Sequence, residues 1–156
     1  MNGARPFRVA GAGLLAIAVL TGCASSPPED EAHYADLARA ADERDVLPAA
    51  VETTQDGVEV DVETVRLAAE NDGTLVFLAR GTQAGEDSVC LVLTGPGDED
   101  WGLTCSIVGG SFGDDRSTYF VVPDDAGPER LPQDISLTRL SENVYVSPAA
   151  APEEVQ

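Results

Sequence analysis

Few residues in this 156-residue chain could do chemistry, and their spacing limits what that chemistry could be. There is one His, there are three Cys, and the nine cations are all Arg, set against 28 acids. Gly109-Gly110-Ser111-Phe112-Gly113 matches the G-x-S-x-G pattern of a nucleophile elbow. That elbow needs a strand-to-helix turn in a large α/β sheet and a His later in the chain. No helix-forming segment follows Ser111, and His33 lies upstream, so this stretch reads as a Gly-rich loop. As a general base His33 lacks a nucleophile, and as a metal ligand it lacks companions. The acid runs Glu86-Asp87, Asp98-Glu99-Asp100, Asp114-Asp115 and Asp124-Asp125 all fall where loops are expected. Hard cations take oxygen ligands at such places, but none of the runs has the D-x-D-x-D-G spacing of a calcium loop. Adjacent acids point apart, which suits solvation better than chelation. Neither metal nor cofactor is expected.

The cysteines divide unequally. An odd count normally flags a free thiol. Cys23, however, ends the stretch Leu20-Thr21-Gly22-Cys23, which resembles a bacterial lipobox. In signals of that kind the Cys receives a diacylglyceryl group and becomes the first residue of the mature protein. The flanks agree. Arg5 and Arg8 precede an apolar run from Val9 to Leu20, the layout of a secretory signal, and the run is too short to span a bilayer comfortably. Two acyl chains hold a protein at a membrane where one binds only reversibly. Residues 1–22 are therefore expected to be a lipoprotein signal peptide, and residues 23–31 a lipidated Cys with its tether. The expected location is the outer side of the cell membrane, with the lipid on Cys23 as the membrane contact. Cys90 and Cys105 are left as a pair, and export would place them where a disulfide persists. Closing a loop of about 15 residues is worth about 3 kcal/mol in the chain-entropy picture.

Charge narrows the partners. Cleavage before Cys23 removes Arg5 and Arg8 and no acid, leaving seven cations against 28 acids, a formal −21. Such a surface repels nucleic-acid phosphates and anionic lipid headgroups. Nucleic acid is excluded as a partner. Solubility accounts for most of the acids; binding of a cation or basic ligand is the sharper alternative.

The elements that would position these residues can be taken in order. Ser26-Pro27-Pro28-Glu29 fits a capped helix start. Tyr34, Leu37, Ala38 and Ala41 follow helical spacing, so an amphipathic helix is expected over 32–47, ending before Pro48. A β domain is expected over 56–148. Val58, Val60 and Val62 alternate with acids, and the alternation slips near Glu63, where a turn or bulge would account for it. Asn71-Asp72-Gly73 is a hairpin signal. Leu75 to Ala79 and Val89 to Leu93 are apolar on both faces, as central strands are, with 81–87 as a loop between them. If the next turn centres between Gly97 and Asp98, Cys90 pairs with Cys105, Val92 with Leu103 and Thr94 with Trp101, all on one face. Residues 109–116 and 124–133 read as loops, and 118–122, 135–140 and 144–146 as short strands. Residues 149–156 read as a disordered tail. The fold class is mainly β with one N-terminal helix (α+β): an antiparallel meander sheet or small open barrel stapled by one disulfide.

Val65-Arg66-Leu67, Leu78-Ala79-Arg80, Val89-Cys90-Leu91-Val92-Leu93, Trp101-Gly102 and Cys105 together resemble a domain of small uncharacterised lipoproteins of Gram-positive bacteria. Ser141-Glu142-Asn143-Val144-Tyr145-Val146 is similar to that group's closing segment. The resemblance covers about residues 62–147. It implies export and the disulfide, and it brings no activity. The function expected is a non-enzymatic binding or envelope-associated module with an unknown protein or small-molecule partner. The Gly95–Asp100 loop, through Asp98, Asp100 and Trp101, is the expected contact surface, with core packing beside the disulfide as the ordinary role of Trp101. A small hydrolase using loop carboxylates and a purely structural acidic spacer are the alternatives.

Overall fold

The computed structural model describes residues 33–148 except Asp98, Val108 and Asp115. The signal segment, Cys23, its tether, the Ser26 helix start and the tail at 149–156 lie outside the described residues, as does Asp98. The chain is mainly antiparallel β. In order it runs α1 (Ala35–Ala38), β1 (Thr54–Gln55), β2 (Val58–Val60), β3 (Arg66–Asn71), β4 (Thr74–Gln83), β5 (Glu86–Thr94), β6 (Trp101–Ser106), β7 (Gly110–Gly113), β8 (Ser117–Val121), β9 (Thr138–Arg139) and β10 (Val144–Pro148). The larger sheet has the order β1-β2-β4-β5-β6, with β3 also pairing β4, and it curls into half of a barrel. The smaller sheet has the order β7-β8-β10-β9.

Alternation along the two central strands explains the layering. Val76 and Leu78 of β4 and Val89, Leu91 and Leu93 of β5 face the smaller sheet, meeting Tyr119, Val121, Val144 and Val146. Phe77, Ala79, Cys90 and Val92 face the other way, into a second cluster with Val51, Val60, Val65 and Cys105. Strands buried on both faces read as continuous apolar runs, and Val76 to Ala79 are at most 1% exposed. The outer face of the smaller sheet is covered by Val122, Ala126 and Leu131.

The β5–β6 hairpin has the expected register: Cys90 opposite Cys105, Val92 opposite Leu103, Thr94 opposite Trp101. The Cys90–Cys105 disulfide is formed across these neighbouring strands. Gly81 makes room beside it, because a Cβ there would collide with the Glu59 carbonyl oxygen and the Cys90 sulfur. The slip near Glu63 is a 3-10 turn over Val62–Thr64. It steps the chain from β2, paired with Gly81–Gln83, to β3, paired with Thr74–Leu78, along one edge of β4. The β4 backbone stays satisfied across the step: the Arg80 carbonyl accepts the Asp61 N–H (2.9 Å), and the Arg80 N–H donates to Thr64 Oγ1 (2.8 Å).

Several sequence expectations need correction. Residues 81–87 are not a loop: β4 and β5 pair through Gln83 and Glu86, joined by Ala84-Gly85 with φ of 54° and 84°. Asp72-Gly73 and Asp56-Gly57 close two other hairpins in the same positive-φ conformation. Residues 109–116 include β7, and the expected strand at 135–140 shrinks to Thr138–Arg139. The amphipathic helix over 32–47 is a single turn, Ala35–Ala38, after which Arg39 is extended. Short helices are marginal in water unless packing supports them, and here Ala38 and Ala41 stay exposed. Tertiary hydrogen bonds take over instead. Arg39 grips the buried Asp45 with both terminal nitrogens and also donates to the Leu67 carbonyl (3.1 Å). Asp45 in turn accepts the backbone N–H of Asp42 and of Leu67, each at 2.7 Å. This tie holds 39–45 against β3 in a non-helical path.

Candidate functional site

A recess of about 800 Å³ lies at the end of the larger sheet where β2, β4 and β5 meet. Register builds its wall. Glu59, Thr82 and Asp87 are directly opposite one another across β2, β4 and β5. Residues so paired share a face, so Glu59 and Asp87 stand on either side of Thr82, with their strands about 10 Å apart. Arg80 stands on the same face, one pleat repeat away, and Asp61 is tied to its backbone. Glu63 is supplied by the 3-10 turn, which Asp61 caps by accepting the Glu63 N–H (3.1 Å). Four carboxylates therefore line the recess with one guanidinium. Val62, after β2, and Ile107, after β6, also line it and are 57% and 52% exposed.

Tyr34 closes the recess from the core side. It is 3% exposed, packs in the inter-sheet cluster, and its hydroxyl has no hydrogen-bond partner. Burial, aided by Asp125 and Asp124 and opposed by the Arg80 charge, pushes the phenol up to about 12, so it is a neutral hydroxyl at physiological pH. A buried polar atom without a partner costs about 1–3 kcal/mol.

A buried polar clamp positions Tyr34. Asn143, fully buried, exchanges hydrogen bonds with Asp36: its Oδ1 accepts the Asp36 N–H and its own N–H donates to Asp36 Oδ2, both at 2.9 Å. Asn143 Nδ2 donates to the Val122 carbonyl and to Asp124 Oδ1. Asp124 accepts the Ala35 N–H and donates its own N–H to the His33 carbonyl. The residues on both sides of Tyr34 are thus held to the smaller sheet. Neither Asn143 nor Tyr34 stood out in the sequence as a site residue. Asn143 falls between the expected strands at 135–140 and 144–146, and Tyr34 is one member of a helical stripe.

The surface expected from the sequence is a second, smaller recess of about 530 Å³, lined by Asp72, Pro96, Asp100, Trp101, Phe112 and Arg116 among others. Asp100 is exposed there. Trp101 is half-buried and packs on the cluster that contains the disulfide, so it serves the core while one part of it lines this recess. Ser111 lies exposed within β7 opposite Phe120, in an antiparallel hairpin and not at a strand-to-helix elbow. Asp114 is a turn-closing residue: N–H donation from Arg116 and Ser117 holds its carboxyl below the usual range. No group of three His, Cys, Asp or Glu among the described residues could hold a metal ion. No helix among them is long and apolar enough to cross a membrane.

No family model, no curated protein and no solved structure matches this chain. What the recess can do must be argued from its own atoms. Its lining carries four carboxylates, one guanidinium, two exposed apolar side chains and two buried hydroxyls, of Tyr34 and Ser88, without a protein partner.

Proposed function

We propose that the chain is a lipid-anchored, non-enzymatic binding module on the outer side of the cell membrane, with the Tyr34 recess as its ligand site. The observation that carries the binding role is the unpartnered Tyr34 hydroxyl in the wall of an acid-lined recess. Pockets that bind small molecules combine apolar walls with a few convergent polar groups, in volumes of about 300–1,000 Å³. Glu59, Asp61, Glu63 and Asp87 are all exposed, whereas a general-acid carboxyl is kept protonated by apolar enclosure. Binding is therefore favoured over hydrolysis.

The anchoring role is carried by Leu20-Thr21-Gly22-Cys23 behind its cationic and apolar flanks. The Cys90–Cys105 disulfide agrees with an oxidising compartment, as does the resemblance to Gram-positive lipoproteins. The loop of Asp98, Asp100 and Trp101 is the second candidate surface, since aromatics are enriched where proteins bind.

A photoreactive residue placed at Ile107 or at Asp100 in the full chain, in intact cells, tests which surface is used. Adducts from Ile107 and none from Asp100 are expected. Adducts from Asp100 alone would move the site to the Trp101 loop. Adducts from neither would leave the domain as an acidic spacer and contradict the binding role.

A further inference from the structure

We propose that β6 is an interface for a second copy of this chain, the two β6 strands pairing antiparallel about a two-fold axis at Leu103 so that the larger sheets join edge to edge. This stands apart from the Tyr34 recess and does not rest on it. Hydrogen-bond parity decides which backbone groups β6 offers. Arg80 of β4 turns its N–H to Thr64 and its C=O to Asp61, away from β5. Direction alternates along a strand, so Ala79 faces β5 and bonds to Cys90, which turns Cys90 away from β6. The 4.0 Å between the Cys90 and Cys105 Cα atoms agrees, since a non-hydrogen-bonded antiparallel pair is the closer kind. Gly102, Thr104 and Ser106 therefore bond to β5, and the N–H and C=O groups of Leu103 and Cys105 point outward. β6 ends the larger sheet, and no strand among the described residues pairs with its outer side. β7 lies over the face away from the disulfide, with Phe112 against Gly102, and forms no ladder with β6.

Sheet edges are normally blunted by shortness, charge or a cover. β1 and β9 have two residues each and β7 has four. β3 carries Arg66 and Glu70, and its Leu67 backbone is tied to Asp45 and Arg39. β6 has six residues, no Pro and no charge, in a chain with 28 acids. A second β6 supplies what this edge lacks. In the register centred on Leu103, the two Leu103 residues exchange N–H and C=O bonds, and each Cys105 N–H reaches the other copy's Trp101 C=O. Trp101, Leu103 and Cys105 share the disulfide face, so Leu103 packs on Leu103 and each Trp101 on the other copy's disulfide, covering apolar side chains that are half-buried in one copy. Antiparallel order also keeps like charges apart: Glu99-Asp100 of one copy meets the uncharged Ser106-Ile107 of the other, which leaves the acidic turns at opposite ends. A two-fold pairing uses the same surface on both copies and closes at a dimer.

The test is sedimentation of the full chain in density-matched detergent over a range of protein concentrations, with amide exchange read on the same samples. A monomer–dimer equilibrium is expected, and sodium chloride should favour the dimer because it screens repulsion between two acidic copies. The Leu103 and Cys105 amides should exchange more slowly as concentration rises, while Thr104, bonded to β5, stays protected throughout. Leu103→Glu sets two like charges directly opposite each other and should weaken the dimer at least about tenfold, whereas Ser111→Glu, exposed on β7, leaves it unchanged. Thermal melting checks that Leu103→Glu folds; if it does not, amide exchange in the unaltered protein decides alone. An adduct between two copies has twice the chain's mass, which separates it from a ligand adduct formed at Ile107. A monomer at every concentration and salt, a dimer that withstands Leu103→Glu in a folded variant, or Leu103 and Cys105 amides already protected in the monomer would overturn the proposal, the last because the chain itself would then cover the edge.

Discussion

Asp45 does for the domain what a longer helix was expected to do. Burial works against its charge, but donation from the Arg39 guanidinium and from the backbone of Asp42 and Leu67 outweighs this and holds the carboxyl well below the usual range. A depressed folded-state value adds stability above the unfolded value of about 3.9, and that stability is lost as the pH falls below it. Urea unfolding across pH 5 to 2 should therefore show a steeper loss in the native protein than in Asp45→Asn. At neutral pH Asp45→Ala should cost about 2–4 kcal/mol, below the full cost of breaking a buried pair because the Arg39 side chain is 32% exposed. Ala84 shows the opposite case. It holds φ at 54° in the turn between β4 and β5, a conformation that disfavours any Cβ. Ala84→Gly should stabilise the domain by about 0.5–1 kcal/mol, read from the same denaturant midpoints.

Elements were legible in the sequence where burial imposed a pattern. β4 and β5 are buried on both faces and appear as unbroken apolar runs, and the Cys90–Cys105 register followed from one turn position. β7 was not legible, because Gly-Ser-Phe-Gly carries one apolar side chain and no alternation. The turn between β4 and β5 was missed because Ala84 is a poor marker of positive φ. The helix expected over 32–47 failed for a different reason. Helical spacing of Tyr34 and Leu37 did report a buried side, but the Arg39–Asp45 tie and the Asn143 clamp are long-range bonds that no local pattern contains. The site was hidden in the same way: sheet register brings Glu59 and Asp87 together, and the Asn143 clamp places Tyr34. The disulfide belongs to this scale too. Cys90→Ala with Cys105→Ala should cost about 3 kcal/mol for a 15-residue separation, seen as a lower thermal midpoint with the sheet retained.

For the whole molecule, charge and covalent chemistry have to agree. A mature chain of formal charge −21 avoids anionic headgroups, so any hold on a membrane must come from something other than its surface. The lipid proposed on Cys23 would supply that hold, and it would also account for an odd cysteine count that leaves a matched pair in the domain. The same acidity concentrates cations around the protein. Peptide mass mapping of the membrane-extracted protein, without reduction, tests the anchored, oxidised state in one measurement. The account predicts a first peptide that begins at Cys23 and carries acyl chains, together with a linked pair of peptides containing Cys90 and Cys105. A chain beginning elsewhere with an unmodified terminus, or free thiols at 90 and 105, would contradict it.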